Sequence, residues 1–286
     1  MLGSAAGGGL PQWNCACEGC AAARAGEIPC RTQTSLAVSA DGHSWFLVNA
    51  SPDLRTQMQA TPALHPLPGE TRGIPLEGVL LSNADLDHTL GIVLMRESEQ
   101  PLHVYAPEGV RERLFWLDEM LGRFSGLTWH DSCGGETPLS TREGRPSGLT
   151  CRCVPVSGAA DGKESVAYVL REERTGKTLL AAPDVSVISE ELARELTLAD
   201  AIFWDGTFWS DDELKRFAPG KRSARGMGHL PLSETGLEML AASPASLKVL
   251  IHINNTNPIL LPASAQRRLA EAAGVTIAED GLVFNL

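Results

Sequence analysis

Ser82-Asn83-Ala84-Asp85-Leu86-Asp87-His88 follows the apolar run Gly78-Val79-Leu80-Leu81, so a buried strand ends where two carboxylates and an imidazole crowd together. Oxygen and nitrogen donors concentrated at a strand exit suit a metal ion or acid–base chemistry. An Asp-His pair alone is also compatible with a helix cap, so the reading turns on a partner elsewhere in the chain. Val249-Leu250-Ile251-His252-Ile253-Asn254-Asn255 supplies one, a histidine in an apolar strand followed at once by amides. Asp87, His88 and His252 together offer one carboxylate and two imidazoles. The competing reading of His252 is a satisfied core histidine.

Outward from these stretches, Ser35–Ser39 and Ser44–Asn49 read as strands around an Asp41-Gly42 turn. Gly78–Leu81, His103–Tyr105, Cys151–Val156, Ser165–Leu170, Thr178–Ala181, Ala201–Trp204 and Lys248–Ile253 are further strands, and Val275–Ala278 and Leu282–Leu286 form a closing pair. Helices are expected from Asp53, between the strands at 78 and 103, over Glu108–Leu121, over Ser189–Leu196 and over Thr235–Ala242. A run of strands followed by alternating helices and strands favours a mixed sheet, or two packed sheets, with helices outside. A doubly wound nucleotide-binding fold is disfavoured: Gly7-Gly8-Gly9 is not G-x-G-x-x-G, and no Walker lysine follows. With no repeat, linker or compositional break, residues 1–286 read as one domain.

The 286 residues are 43% hydrophobic and 21% charged, ordinary for a globular chain, with a net charge of −11. That charge argues against nucleic-acid and anionic-membrane partners. No apolar run reaches the roughly 18 residues that span a bilayer, and Met1–Gly9 lacks the basic start and apolar middle of a secretory signal. A cytoplasmic location without membrane insertion is expected. Seven cysteines do not form a secreted disulfide framework, so free or metal-bound thiols are expected. Cys15, Cys17 and Cys20 can converge on one tetrahedral ion, for which zinc is usual, at a closed structural site. Its fourth ligand is open between Cys30, His252 and Asn255. Cys133, Cys151 and Cys153 read as buried or incidental thiols.

Several separated stretches carry a closer resemblance: Gly3–Gly9, Gln12–Cys15, Arg31–Ser35, Asn49–Arg55, Asn83–Leu90, Asp205–Trp209, Met227–Leu230 and His252–Leu260. Together they resemble the pyrroloquinoline quinone biosynthesis protein B family of the metallo-β-lactamase superfamily, from Leu2 almost to Leu286. The resemblance implies an αββα sandwich, two mixed β-sheets flanked by helices, with the metal site at one edge of both sheets. It also implies which ligands are lost. Asn83, Asp85 and Ser157 stand where a dinuclear hydrolase holds its first metal with histidines, whereas Asp87, His88 and His252 match the second-metal set, and Asp184 matches the bridging aspartate.

One surviving carboxylate and two histidines suit non-haem Fe(II), with positions open for dioxygen and substrate. The resemblance accordingly implies an oxygenase acting on the tyrosine-derived ring of a small-molecule, cross-linked Glu–Tyr precursor. The competing functions are a non-catalytic carrier delivering the quinone or its precursor toward the periplasm, and a metal-dependent hydrolase. His229, in the Gly226–Leu230 loop, is a candidate proton donor or acceptor. Asp85 and Asp205 are candidates to orient a ligand histidine. Arg31, Arg55, Lys221, Arg222 and Arg225 could pair with substrate carboxylates. A homodimer is among the assemblies expected.

Overall fold

The computed structural model describes residues 1–157, 165–217 and 220–286. Its architecture follows from strands buried on both faces. In β10 (Ala201–Asp205) every residue is buried; Ile202 and Trp204 enter one core while Ala201 and Phe203 enter another. Continuous apolar burial of this kind is what a parallel strand covered on both sides requires.

The first sheet has the order β1 (Leu36–Val38), β2 (Trp45–Val48), β3 (Leu76–Leu80), β4 (Leu102–Ala106) and β5 (Leu127–Asp131). The β1–β2 pair is antiparallel and the others are parallel. The second sheet runs β12 (Thr276–Ile277), β11 (Leu247–Ile251), β10, β9 (Thr178–Ala182), β8 (Val166–Glu172), β7 (Pro146–Pro155) and β6 (Thr137–Ser140). Pairs from β12 to β9 are parallel; those from β9 to β6 are antiparallel.

Three apolar clusters define the layers. Phe46, Val48, Leu80 and Tyr105 meet Leu149, Tyr168, Phe203 and Ile251 between the sheets. Outside the first sheet, Leu47, Val79 and Val104 pack against α2 (Leu54–Ala60), α4 (Glu108–Arg113) and α5 (Phe115–Leu121). Outside the second, Leu180, Ile202 and Leu250 pack against α1 (Glu18–Arg24), α6 (Glu190–Leu198), α7 (Leu237–Ala242) and α8 (Ala265–Ala272). The result is the expected αββα sandwich.

The departures are local. The single helix expected over Glu108–Leu121 breaks at Leu114, where φ −103 and ψ 18 leave the helical region. The Leu282–Leu286 strand is absent, and β5, β6, α1 and α8 were not expected. The strand expected to reach Ile253 ends at Ile251. Cys133 and Cys153 form a disulfide between the β5–β6 loop and β7, which corrects their reading as free thiols; Cys151 remains free and buried. Arg31 is buried and bonds to Ala278 O, Pro29 O and Glu279. It holds two chain segments together rather than facing a cleft.

Candidate metal centre

The exits of β3, β9, β10 and β11 converge at one edge of the sandwich. Past β3, the short helix α3 (Leu86–Thr89) carries Asp87 and His88. It docks on the β2 exit, where Ala50 N–H donates to His88 O at 2.7 Å and Gly91 N–H to Ala50 O at 2.9 Å. A Cβ at Gly91 would lie 2.3 Å from Ser51 O, so the chain can approach this closely only with glycine there. Past β11, His252 turns out of the sheet with φ 54. Among the described residues, the two non-glycine residues at positive φ are His252 and Asn49, and Asn49 contacts His88. Backbone strain is thus concentrated at this one place, as it commonly is at functional sites.

Three side-chain atoms face a common point. His88 Nε2 and His252 Nε2 are 3.1 Å apart, His252 Nε2 lies 3.3 Å from Asp87 Oδ2, and His88 Nε2 lies 3.8 Å from it. Ligands about 2.0–2.2 Å from a shared ion, at tetrahedral or octahedral angles, would be separated by about 3–3.6 Å. Two of the three separations fall in that range and the third is slightly longer, so the donor set fits one metal ion after a small shift of the Asp87 carboxylate. Asp184 lies behind these groups, its oxygens 3.4 Å from His88 Nδ1, 3.3 Å from His252 Nδ1 and 3.6 Å from His229 Nδ1. Asn83 Nδ2 donates to Asp184 at 2.6 Å.

The histidines are oriented from behind. His252 Nδ1 lies 2.8 Å from Thr207 Oγ1, which donates to Asp205 Oδ1 at 2.5 Å. The Thr207 hydroxyl has one proton, and giving it to Asp205 leaves its oxygen to accept from His252 Nδ1–H. That tautomer presents the Nε2 lone pair forward. Asp205 Oδ2 also accepts from His229 Nδ1 at 2.8 Å and from Val185 N–H at 2.9 Å. One buried carboxylate thus holds two imidazoles. His88 Nδ1 is flanked by Ser82 Oγ at 3.1 Å and Asn49 Nδ2 at 3.0 Å. Thr207, Ser82 and Asn49 were not picked out as site residues; a hydroxyl or amide at a strand exit looks like ordinary capping until its histidine is known.

The structure brings Asp87, His88, His252 and His229 close together. Asp85 lies to one side: it lines a cavity with Asn83, Ser157, Ser165, Asp184, Ser186 and His229, and its N–H donates to Asn83 Oδ1. The three positions expected to have lost imidazoles, Asn83, Asp85 and Ser157, therefore do meet. The cavity is small, with about 20 Å³ open to the centre of a water-sized sphere. Of the candidate cations, Arg225 is engaged by Glu234 at 2.6 Å, and Arg222 reaches Gly226 O at 3.5 Å.

Burial alone would lower the pKa of His252, but Asp184 and Asp87 outweigh it and raise it to about 9. His229 is likewise raised, because Asp205 and Asp184 oppose its desolvation. Burial works against the charged form of Asp87, yet His88 and His252 hold its carboxyl well below the usual carboxylate range. A metal ion needs neutral His252, so it must displace a proton at any pH below about 9. Apparent affinity should fall by about tenfold for each unit of acidification below that pH, per proton displaced. Competition titrations against a chelator, corrected for the chelator's own protonation, give the slope; a flat profile between pH 9 and 7 would contradict the protonated ground state.

A second cluster lies near α1. Asn255 Nδ2 is 3.1 Å from Cys15 Sγ, 3.4 Å from Cys17 Sγ and 3.2 Å from Cys20 Sγ. Of the fourth-ligand candidates, Asn255 alone faces all three sulfurs: His252 belongs to the other cluster, and Cys30 is exposed with its Sγ 3.9 Å from Ala23 O. Burial pushes the Cys17 thiol up to about 12, so it holds its proton until a cation compensates the buried thiolate.

Residues 44–253 match the model of the beta-lactamase superfamily domain. The chain is 41% identical to coenzyme PQQ synthesis protein B of Methylobacterium sp. (strain 4-46), covering 100% of this chain and 99% of that protein. It is 40% identical to the protein of the same name from Methylococcus capsulatus, with the same coverage. Among solved structures, zinc-bound PqqB from Methylobacterium extorquens superposes with a TM-score of 0.87 at 36% identity, covering 100% of this chain and 98% of the other. A diphosphatase of the PhnP family superposes at 0.69 with 19% identity over 98% of this chain and 93% of the other, a likeness of fold alone. Relatives this similar, spanning the whole chain and sharing its sandwich, place it by descent: the chain belongs to the coenzyme PQQ synthesis protein B family of the metallo-β-lactamase superfamily.

Proposed function

We propose that this chain acts in pyrroloquinoline quinone synthesis as an Fe(II)-dependent oxygenase that hydroxylates the tyrosine-derived ring of a cross-linked Glu–Tyr precursor. The observation that carries this reading is the asymmetry of the cleft. Asp87, His88 and His252 converge at 3.1–3.8 Å, while the adjoining cavity presents Asn83, Asp85 and Ser157. Two-metal hydrolysis needs ions at both places; among the described residues the first place has two imidazoles, whereas the cavity adds only His229, beside Asp184. In this reading Asp87, His88 and His252 would hold Fe(II), and Cys15, Cys17 and Cys20 would hold a structural zinc with Asn255 as the fourth ligand through Oδ1, its amide turned over from the orientation that points Nδ2 at the sulfurs. A zinc-bound relative is compatible with both sites, since zinc outranks Fe(II) in affinity for most nitrogen and oxygen ligand sets.

Bound iron supplies a place for dioxygen to be reduced beside the ring. The protein's own part is acid–base and positional. His229, with Nδ1 tied to Asp205, has Nε2 left to take the phenolic proton as the ring becomes electron-rich. Asp184 lies against the rear nitrogens of His88 and His252, 3.4 and 3.3 Å away, and helps fix their orientation. Each hydroxylation inserts one oxygen atom into a ring C–H bond, reduces the other to water, and draws two electrons from an external reductant.

The test is anaerobic reconstitution with Fe(II), followed by oxygen uptake and product mass with the cross-linked Glu–Tyr substrate. Uptake matched by a product one oxygen heavier supports the oxygenase. Tight binding of precursor or quinone, with no oxygen consumed with or without iron, would replace it with the carrier.

A further inference from the structure

The two clusters are joined by a short piece of chain. His252 and Asn255 lie three residues apart on the segment that leaves β11, one facing the Asp87–His88 pair and the other the three cysteines. The segment is clamped on both sides. Thr207 Oγ1 packs 2.9 Å from His252 O while bonding its Nδ1, and Asn254 N–H donates to Thr207 O at 3.2 Å. Ile253 N–H donates to Ser4 O and Ala6 N–H to Ile253 O, each at 3.0 Å. His252 itself keeps a left-handed backbone, φ 54, that a non-glycine residue adopts only when its surroundings enforce it.

The far end of the clamp is the cysteine knuckle. Cys17 Sγ lies 3.3 Å from Asn255 O, and a Cβ on Gly19 would sit 2.6 Å from the same oxygen, so α1 is seated directly on this peptide. A second route leads from the knuckle to the other ligand. The chain entering Cys15 passes through Gly7, where a Cβ would lie 3.0 Å from Asp87 Oδ2. His252 is thus braced by chain that the knuckle anchors, and Asp87 lies beside chain that leads into it.

We infer that metal at Cys15, Cys17 and Cys20 tightens metal binding at Asp87, His88 and His252, with Asn255 as the positioning residue that transmits the effect. The inference rests on the two-site reading above. A filled knuckle draws the three sulfurs and Asn255 into one rigid unit and so holds His252 in its strained conformation before the second ion arrives. With the knuckle empty, the segment is free to relax, and the second ion must reorder it. Coupling of this kind is reciprocal and commonly amounts to 5–150-fold in affinity.

Cobalt(II) is the probe, because thiolate ligation gives intense near-ultraviolet bands and nitrogen–oxygen ligation gives weak visible ones. The full-length protein is titrated with Co(II) after zinc has filled the cysteines, and the visible bands report affinity at Asp87, His88 and His252. About tenfold weaker affinity is expected in Cys17→Ser and Asn255→Ala, and near-native affinity in Asn255→Asp, whose carboxylate can replace the amide. Leu121→Ala, in the distant outer core, controls for general loss of stability and should leave the affinity unchanged. Reciprocally, Co(II) at the three-donor centre should tighten zinc at the cysteines by the same factor. Equal Co(II) affinity in native protein, Cys17→Ser and Asn255→Ala overturns the coupling while leaving both sites intact. A protein that holds no metal on its cysteines overturns the knuckle and the coupling together.

Discussion

His252→Asn is expected to empty the Asp87–His88–His252 centre and abolish oxygen consumption, with zinc still bound at the cysteines. Asparagine is the informative replacement because it tolerates the left-handed backbone at φ 54, where alanine would add strain to the loss of a ligand. Partners that merely orient a ligand are worth about 10–100-fold in metal affinity, so removing a ligand should cost at least about 100-fold. Anaerobic dialysis followed by metal analysis separates the two sites. Stoichiometric iron in His252→Asn, or full turnover, would show that the centre lies elsewhere.

Asp205→Asn should weaken metal binding by about 10–100-fold without altering a single ligand. Its carboxylate bonds to His229 directly and to His252 through Thr207, so losing the charge acts on both imidazoles. Two readouts separate these branches. Thr207→Val should reproduce the loss of metal affinity but not alter the rate profile. Asp205→Asn should also shift the acid limb of the pH–rate profile downward. The direction follows from His229, whose pKa is raised because Asp205 and Asp184 overcome its burial; without the Asp205 charge, the imidazole gives up its proton at lower pH. Unchanged metal affinity and acid limb in Asp205→Asn would reduce this residue to a packing role.

Much of this was legible in the chain because it depends on local pattern. The apolar run before Ser82 and the one before His252 are strands buried on both faces, and such strands announce themselves by composition alone. The donors following them could be paired because the resemblance aligned them. The helix break at Leu114 was not legible, since Val110, Leu114, Leu117 and Leu121 keep helical spacing across it and all end in one apolar cluster. Periodicity records which face is buried, not whether the backbone is continuous. The Cys133–Cys153 disulfide joins residues from a loop and a strand whose proximity depends on tertiary packing. The orienting residues were hidden for a similar reason. Thr207 meets His252 from 45 residues away, and Asn49 meets His88 from 39, so neither contact leaves a trace in local spacing.

His88 leaves the first sheet and His252 the second, and their ring nitrogens meet although the residues are 164 positions apart. A metal ion between them would act as a rivet through the sandwich. The two halves come from different sheets, so the centre is complete only where the faces meet through Phe46, Leu80, Phe203 and Ile251. The ion therefore recognises only the completed fold. At a thousandfold excess over its dissociation constant it would favour that fold by about 4 kcal/mol, comparable to a large share of a typical domain's net stability. In a cell short of the metal, such a protein would lose persistence as well as chemistry.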